Sequence, residues 1–208
     1  MTKDNKEISK ATLNRLPSYL KYLYQLDKLN VATVSSTTIA NGLNLNPVQV
    51  RKDIALVSSV AGKPKMGYVT KEIIADLESF LGYNNTHDAV LVGVGGLGKA
   101  FLGYGGFENY GLNIVAAFDN NDRIINTKIN GKPVYDVAKL KEIVERFNIQ
   151  IGIITVPSYA AQEVADRMVS AGIKAIWNFA SVHLNIPSNI ALKNEDLASS
   201  LALLSLQI

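Results

Sequence analysis

The sequence predicts an α/β protein in two parts: a basic helical front part built on a helix-turn-helix, then a doubly wound parallel sheet, with an apolar helix at the C-terminus. Three observations predict it. "NLNPVQVRKDIALVSS" starts a helix a few residues after another helix has been stopped at a glycine. "AVLVGVGGLGKAF" (89–101) reads as an apolar strand, a glycine-rich turn and the start of a helix. From there to about residue 180, apolar strands and helical stretches alternate, as a parallel sheet with crossover helices requires.

Composition sets the bounds. With 208 residues the chain makes one large or two small domains. Apolar residues are 48 % of it, enough for a packed core. The absence of cysteine excludes disulfides, thiolate metal sites and a cysteine nucleophile. The polar N-terminus "MTKDNKEISK" has no signal-peptide core, and no run approaches the ~18 apolar residues of a membrane span. A soluble cytoplasmic protein is expected, with no metal. The net charge of +3 is unevenly spread: residues 1–83 hold 11 Lys and Arg against 7 Asp and Glu, residues 84–208 hold 10 against 11. A polyanion-binding part joined to a neutral part has this asymmetry.

In the front part, "PSYLKYLYQLDKL" (17–29) sets Leu20, Leu23 and Leu26 at three-residue steps beside Tyr19 and Tyr22, with Pro17 suited to a first helical position. "STTIANGL" predicts a short helix from about Ser36, stopped at Gly42. The third helix has Asn46 as N-cap and Pro47 after it. The short, glycine-containing connection between these two is the helix-turn-helix pattern. Val50, Ile54 and Val57 make one apolar stripe for the core. Gln49 and Lys52 point away from it and Arg51 flanks them, so the free face suits a major groove, where Arg and Lys donate to guanine or phosphate and Gln reads adenine. Gly62 and Gly67 then bracket a loop holding Lys63 and Lys65, followed by a strand at Tyr68 and Val69. This reads as the hairpin wing of a winged helix, with its lysines placed for phosphates. Ser58, at the end of the third helical stretch, completes the candidate DNA contacts. Alone, the third helix also reads as a solvated face; helix, turn, basic helix and basic wing in that order favour DNA.

Gly82, Asn84, Asn85 and Thr86 form a turn-prone joint. The expected domains are 1–83, 84–192 and a C-terminal helix, 193–208. Behind the joint, strands are expected at "AVLVGVG", "NIVAAFD" (113–119), "IQIGIITVP" (149–157) and "IKAIWNFA", with an edge segment and helix in "GKPVYDVAKLKEIVERF" and a helix in "SYAAQEVADRMVSAG".

Gly93, Gly95 and Gly98 give G-x-G-x-x-G directly after the first of these strands. The first glycine allows the tight turn, the second lets backbone approach a pyrophosphate, and the third permits close helix–strand packing. Val94, Gly96 and Leu97 complete the loop. Asp119 closes the next strand 21 residues beyond Gly98, where the ribose-binding acid of a Rossmann-type domain belongs. A carboxylate there accepts from the ribose hydroxyls and repels a 2′-phosphate, which predicts NAD(H) over NADP(H). Thr155, Val156 and Pro157 end the third strand and Asn178 and Phe179 the fourth, at carboxyl ends where ligands of open sheets bind.

Catalysis is not expected. The 125 residues from 84 onward make one small nucleotide-binding domain. The histidines are His87, in the joint, and His183, and no Tyr-x-x-x-Lys pair stands on a helix. Two alternatives stay open on the residues: a small NAD-dependent oxidoreductase whose basic N-terminal part dimerises, and a CoA- or nucleotide-binding protein with no DNA role. The last segment, "NEDLASSLALLSLQI", has Asn194 as expected N-cap, Glu195 and Asp196 in the first turn, and a stripe of Leu197, Leu201 and Leu204. So apolar a helix needs cover, either from its own sheet or from a second copy of the chain; an operator-binding protein is usually a symmetric dimer, which favours the second and predicts a homodimer.

The order of basic winged helix, GVGGLG, the FD acid, TVP, NFA and apolar terminal helix resembles the family of redox-sensing transcriptional repressors called Rex. "RLPSYLKYL", "VQVRKDI", "GVGGLGKAF" and "IWNFA" carry the likeness, which runs nearly the whole chain. It implies a homodimer that binds operator DNA when NAD+ dominates and lets go when NADH binds, with the C-terminal helix swapped between subunits near the partner's nicotinamide site. It implies that Arg15, before the first long helix, Tyr104 and Asp196 form an interdomain polar switch. It also implies that Arg51 and Lys52 are recognition contacts, with Lys63 in the wing. The chain departs from the family pattern at Ala55–Ser58, where an aromatic and Phe-Gly are usual, at Pro64 and Lys65 in the wing, and at Ser181 in place of proline.

Overall fold

A computed structural model describes residues 8–59, 62, 66–83 and 87–205. The chain divides into two compact units, residues 1–84 and 85–208. Of the expectations above, Lys63, Lys65 and the joint residues Asn84, Asn85 and Thr86 lie outside the described residues.

The front unit runs α1 (Lys10–Lys28), β1 (Thr33–Val34), α2 (Ser36–Leu43), α3 (Pro47–Val57), β2 (Tyr68–Val69) and α4 (Thr70–Leu81). Leu16, Tyr19, Leu20 and Leu23 of α1 meet Ile39 of α2, Val50 and Ile54 of α3, and Ile73 and Leu77 of α4 in one core. Three local expectations are corrected. Pro17 is not at a first helical position but inside α1, and Arg15 lies within the helix rather than before it. The helix starts at Lys10 because the Ser9 hydroxyl accepts from the Thr12 N–H at 3.1 Å, and because Thr12 and Leu16 are buried on the turns ahead of the proline. Gly42 does not stop α2. A β-carbon there would overlap the Tyr22 ring, so the glycine serves packing, and the stop is Asn44 in the left-handed region (φ 55°). Helix α3 begins as the sequence predicts: Asn46 Oδ1 accepts from the Val48 N–H at 2.8 Å and Pro47 follows. β2 pairs antiparallel with β1, Val34 opposite Tyr68. Two residues are too few for a period, which hid β1 in the sequence.

The rear unit contains β3 (His87–Val92), α5 (Gly96–Gly103), a 3-10 helix (Gly105–Tyr110), β4 (Leu112–Asp119), β5 (Lys128–Ile129), β6 (Lys132–Asp136), α6 (Leu140–Phe147), β7 (Ile151–Ile154), α7 (Ser158–Ser170), β8 (Ala175–Asn178), β9 (Ala191–Asn194) and α8 (Leu197–Ser205). Among the described residues its sheet has the order β5-β6-β4-β3-β7-β8-β9. All neighbours are parallel except the β5–β6 hairpin. Alternation along β3 feeds two apolar layers: Val90 and Val92 pack towards α6 and α7 with Phe118 and Ile154, while Ala89 and Leu91 pack towards α5 with Ala117 and Ile153.

β9 overturns the expected start of the last helix. Asn194 does not cap it, because it is the final residue of a strand and lies opposite Asn178 in the ladder. Asp196 caps instead, accepting from the Ser199 N–H at 3.0 Å. Leu197, Leu201 and Leu204 of α8 are 64 %, 67 % and 58 % exposed. No described helix is long and apolar enough to cross a membrane.

Candidate functional site

The glycine turn after β3 separates two demands on its residues. Gly93 has φ +101°, and a β-carbon on it would come within 2.7 Å of Val156 Cγ1 and 2.8 Å of the Thr155 carbonyl. A β-carbon on Gly98 would overlap the Gly93 carbonyl oxygen. The fold itself requires these two glycines. Gly95 and Gly96 are different: a β-carbon on either meets nothing within 4 Å. Bare backbone at these positions leaves open space at the N-terminus of α5, as close approach by a phosphate would need.

Neighbouring strands pin the turn. The Gly93 N–H donates to the Phe118 carbonyl at 2.9 Å and the Thr155 N–H to the Val92 carbonyl at 2.9 Å. The Thr155 hydroxyl donates to the Gly93 carbonyl at 2.7 Å. Asp119, half-buried at the end of β4, accepts from the Val94 N–H at 2.6 Å through Oδ2 and from the Asn121 N–H at 2.9 Å through Oδ1. Each carboxylate oxygen keeps a lone pair for a further donor.

A cavity of about 660 Å³ opens over the carboxyl ends of β3, β4 and β7. This is where the strand order reverses direction, the ligand position of open α/β sheets. Of the residues the sequence offers as cofactor-binding candidates, Gly93, Val94, Gly95, Asp119, Thr155, Val156 and Pro157 line it. Gly96, Leu97 and Gly98 continue into α5 and are not in its lining. Nor are Asn178 and Phe179. The buried Asn178 amide donates to the Ala180 and Val182 carbonyls and to Asn194 Oδ1, and its oxygen accepts from the Ala180 N–H. Phe179 sits 4.5 Å from Trp177 and 4.8 Å from Phe101, ring centroid to centroid, in an aromatic cluster. The lining also includes Lys99 from α5 and Tyr159, Glu163 and Arg167 from α7, which the sequence reading passed over. The signal was there: the α7 trio stands at four-residue steps directly after Pro157.

In the front unit Gln49, Arg51 and Lys52 are exposed on α3. Among the described residues neither Arg51 nor Lys52 is in an ion pair. The Ser58 hydroxyl donates to Asp76 Oδ2 at 3.2 Å, and that same oxygen receives the Ser59 N–H at 2.7 Å, so Asp76 fixes the chain as it leaves α3. Behind the exposed face lies Asp53, 1 % exposed. Its Oδ2 accepts from Arg15 Nε and from the Tyr19 hydroxyl, each at 2.8 Å. Its Oδ1 accepts from Gln49 Nε2 at 2.8 Å, Arg15 Nη2 at 3.1 Å and the Thr12 hydroxyl at 3.3 Å. Burial works against the Asp53 charge, but the hydrogen bonds from Arg15, Tyr19 and Gln49 outweigh it and hold the carboxyl below its usual range. Burial, and then Asp53, push the Tyr19 phenol up to about 12.

The three residues expected to form a switch are each placed by contacts in their own unit. Arg15 is on Asp53. Tyr104 is 58 % exposed with its ring edge-on to Phe107 at 5.0 Å. Asp196 caps α8, where the Ser199 hydroxyl and N–H lower its pKa.

A helix-turn-helix unit with a cationic free face, followed by a parallel sheet whose glycine turn and acid frame a nucleotide-sized cavity, defines a nucleotide-responsive DNA-binding regulator. Comparison with known proteins agrees part by part. Residues 7–55 match the family "Putative DNA-binding protein N-terminus" and residues 84–182 match "CoA binding domain". The redox-sensing transcriptional repressor Rex of Treponema denticola is 42 % identical over 197 residues, spanning 95 % of this chain and 93 % of that protein. A crystal structure of RSP in complex with β-NAD+ and operator DNA superposes with a TM-score of 0.91 at 35 % identity, covering 98 % of this chain and 93 % of that one. RSP in complex with β-NADH superposes at 0.87, covering 98 % and 95 %. The chain belongs to the Rex family of redox-sensing transcriptional repressors.

Proposed function

We propose that the chain is a homodimeric repressor that binds operator DNA through α3 and the segment following it, takes NAD(H) in the rear cavity, and leaves DNA when NADH binds. The observation that carries the cofactor assignment is Asp119 beside Gly95: a carboxylate with lone pairs to spare and an open phosphate position share one cavity. Arg51 and Lys52 contact the duplex, with Gln49 and Ser58 beside them. Lys63 and Lys65 add phosphate contacts. Residues 1–83 form the DNA-binding domain, 84–192 the cofactor domain and 193–208 the dimerisation helix, swapped between subunits so that Leu197, Leu201 and Leu204 are covered. Asn178 and Phe179 act on the nicotinamide end by shaping the wall behind it. Arg15, Tyr104 and Asp196 form the polar switch between the domains. The family name "CoA binding domain" describes the same sheet; relatives of that sheet solved with NAD+ and NADH support the nicotinamide reading.

Release by NADH requires that reduced cofactor bind the DNA-incompetent dimer better than the competent one. A coupling of ~1–3 kcal/mol per site is ordinary, and two sites per dimer compound it. The test is fluorescence anisotropy on genomic duplexes at fixed, stated salt, with NADH, NAD+ or acetyl-CoA added. NADH is expected to weaken binding at least tenfold, with NAD+ and acetyl-CoA without that effect. Equal affinity with and without saturating NADH overturns the switch. Release by acetyl-CoA alone overturns the cofactor.

A further inference from the structure

Asp53 does more than hold two helices together. Of its five hydrogen-bond donors, four come from Thr12, Arg15 and Tyr19 of α1 and the fifth is the Gln49 amide, one turn earlier on its own helix. We propose that Asp53 is a specificity-setting residue: it orients the Gln49 amide so that α3 reads the acceptor-and-donor edge of adenine in the major groove and rejects guanine. The inference rests on the reading of α3 as the DNA-facing helix and deepens it.

A glutamine amide has two faces to offer. Its NH2 carries two donors and its oxygen accepts, and a free side chain can turn either towards a base. An ionised carboxylate only accepts. With Asp53 Oδ1 at 2.8 Å, the group facing it must therefore be the NH2, because the reverse orientation would set two acceptors against each other. One N–H is then committed inward. What remains on the exposed side chain is one N–H and the carbonyl oxygen. Adenine presents an N6 amino donor and the N7 acceptor, which that pair satisfies; guanine presents O6 and N7, both acceptors, and would face the amide oxygen with a lone pair. The anchor is itself held by three residues of α1. It is buried and kept ionised by Arg15 and Tyr19, so the amide loses its freedom before DNA arrives rather than on binding.

The experiment is affinity-ranked sequencing of a random duplex library with the wild-type dimer, Gln49→Ala and Asp53→Asn. The wild type is expected to show a position in each half-site where adenine is preferred over guanine by about ten- to a hundredfold. Gln49→Ala removes that preference alone. Asp53→Asn reduces it by about tenfold, because an asparagine can meet the Gln49 amide in either orientation, while the salt dependence of binding stays the same. A merely structural Asp53 would weaken all sequences alike and keep the preference; that result overturns the proposal, as does a preference untouched by Gln49→Ala. If Asp53→Asn does not fold, the wild-type protein still exposes the Gln49–adenine contact on which the proposal depends. Duplexes with 7-deazaadenine, or with purine lacking the N6 amino group, at that position should each bind at least fivefold more weakly to wild type and equally to Gln49→Ala. No loss with either analogue overturns it. Failure of the wild type to enrich any sequence, with no duplex binding at low salt, refutes the DNA-facing role of α3 itself.

Discussion

Each unit has one aspartate bound into its candidate site, and the two are used in opposite ways. Asp53 is buried and receives five donors, all from side chains. Asp119 is half-buried and receives two, both from backbone N–H groups of loops bordering the cavity. The first carboxylate has spent its lone pairs on the protein. The second keeps some that the protein does not use. A carboxylate's role thus follows from how its acceptor capacity is used, not from its residue type or its place at an element's end.

The widest gap between the two should appear in stability. Asp53→Asn leaves Arg15 and Tyr19 with a weaker partner in a closed site and should cost the front unit about 3 kcal/mol, read by denaturant unfolding. Its pH dependence has a definite sign. The folded carboxyl lies below the unfolded value of about 3.9, so its contribution is complete above that value and is lost as pH falls through the folded pKa. Unfolding of the wild type at pH 3 should therefore be easier than at pH 6, and Asp53→Asn should flatten that difference. A variant whose stability falls with acid as steeply as the wild type's would remove Asp53 as the source.

The glycine turn sharpens the same distinction within a single loop. Gly98→Ala sets a β-carbon against the Gly93 carbonyl and should destabilise the rear unit by about 2 kcal/mol, with NADH binding lost alongside. Gly95→Ala meets no protein atom, so its melting curve should stay within about 0.5 kcal/mol of wild type while NADH affinity falls at least tenfold. If Gly95→Ala bound NADH normally in calorimetry, the open position would not be the phosphate's.

Asp119→Ala comes next. It removes acceptors for ligand and loop together and should weaken NADH by about 1.5–3 kcal/mol, leaving DNA binding by the free protein unchanged. NADPH should lose less than NADH, because the same change lifts repulsion from a 2′-phosphate. Loss of DNA affinity in this variant would show that the acid is part of the fold's rigidity rather than the ligand's site.

Much of this was legible in the sequence, and the exceptions share a cause. Asn46, Pro47, the Val50 and Ile54 stripe, the three motif glycines and Asp119 signal through local rules of capping, period and spacing, and the structure places them as those rules require. Gly42 and Pro17 misled because their reasons are not local. Gly42 yields to the Tyr22 ring, twenty residues away, and Pro17 is carried inside a helix anchored by Thr12 and Arg15 on a different helix's Asp53. Asn194 misled because a parallel edge strand with exposed residues carries no alternation. Asp53, beside Arg51 and Lys52 in "VQVRKDI", reads in the sequence as part of a solvated helix face, yet it is buried; nothing in its neighbours discloses a salt bridge to a residue 38 positions earlier.

The smallest effect tests the front unit's two duties separately. Asn46 caps α3, accepting from the Val48 N–H at 2.8 Å and the Gln49 N–H at 3.3 Å. Asn46→Ala should cost about 1 kcal/mol of stability. Asn46→Asp keeps the cap, since aspartate ranks with asparagine there, and its charge suits the helix N-terminus by a few tenths of a kcal/mol or more. Stability should hold or rise slightly. The same charge stands on the exposed end of the helix proposed to face the duplex, so duplex affinity should fall severalfold, and more at 50 mM salt than at 200 mM because repulsion is less screened. A variant that is as stable as wild type yet weaker on DNA would separate the folding of α3 from its proposed contact with the duplex. Unchanged affinity at both salts would place the N-terminus of α3 away from the phosphates and confine the contact to Gln49, Arg51 and Lys52.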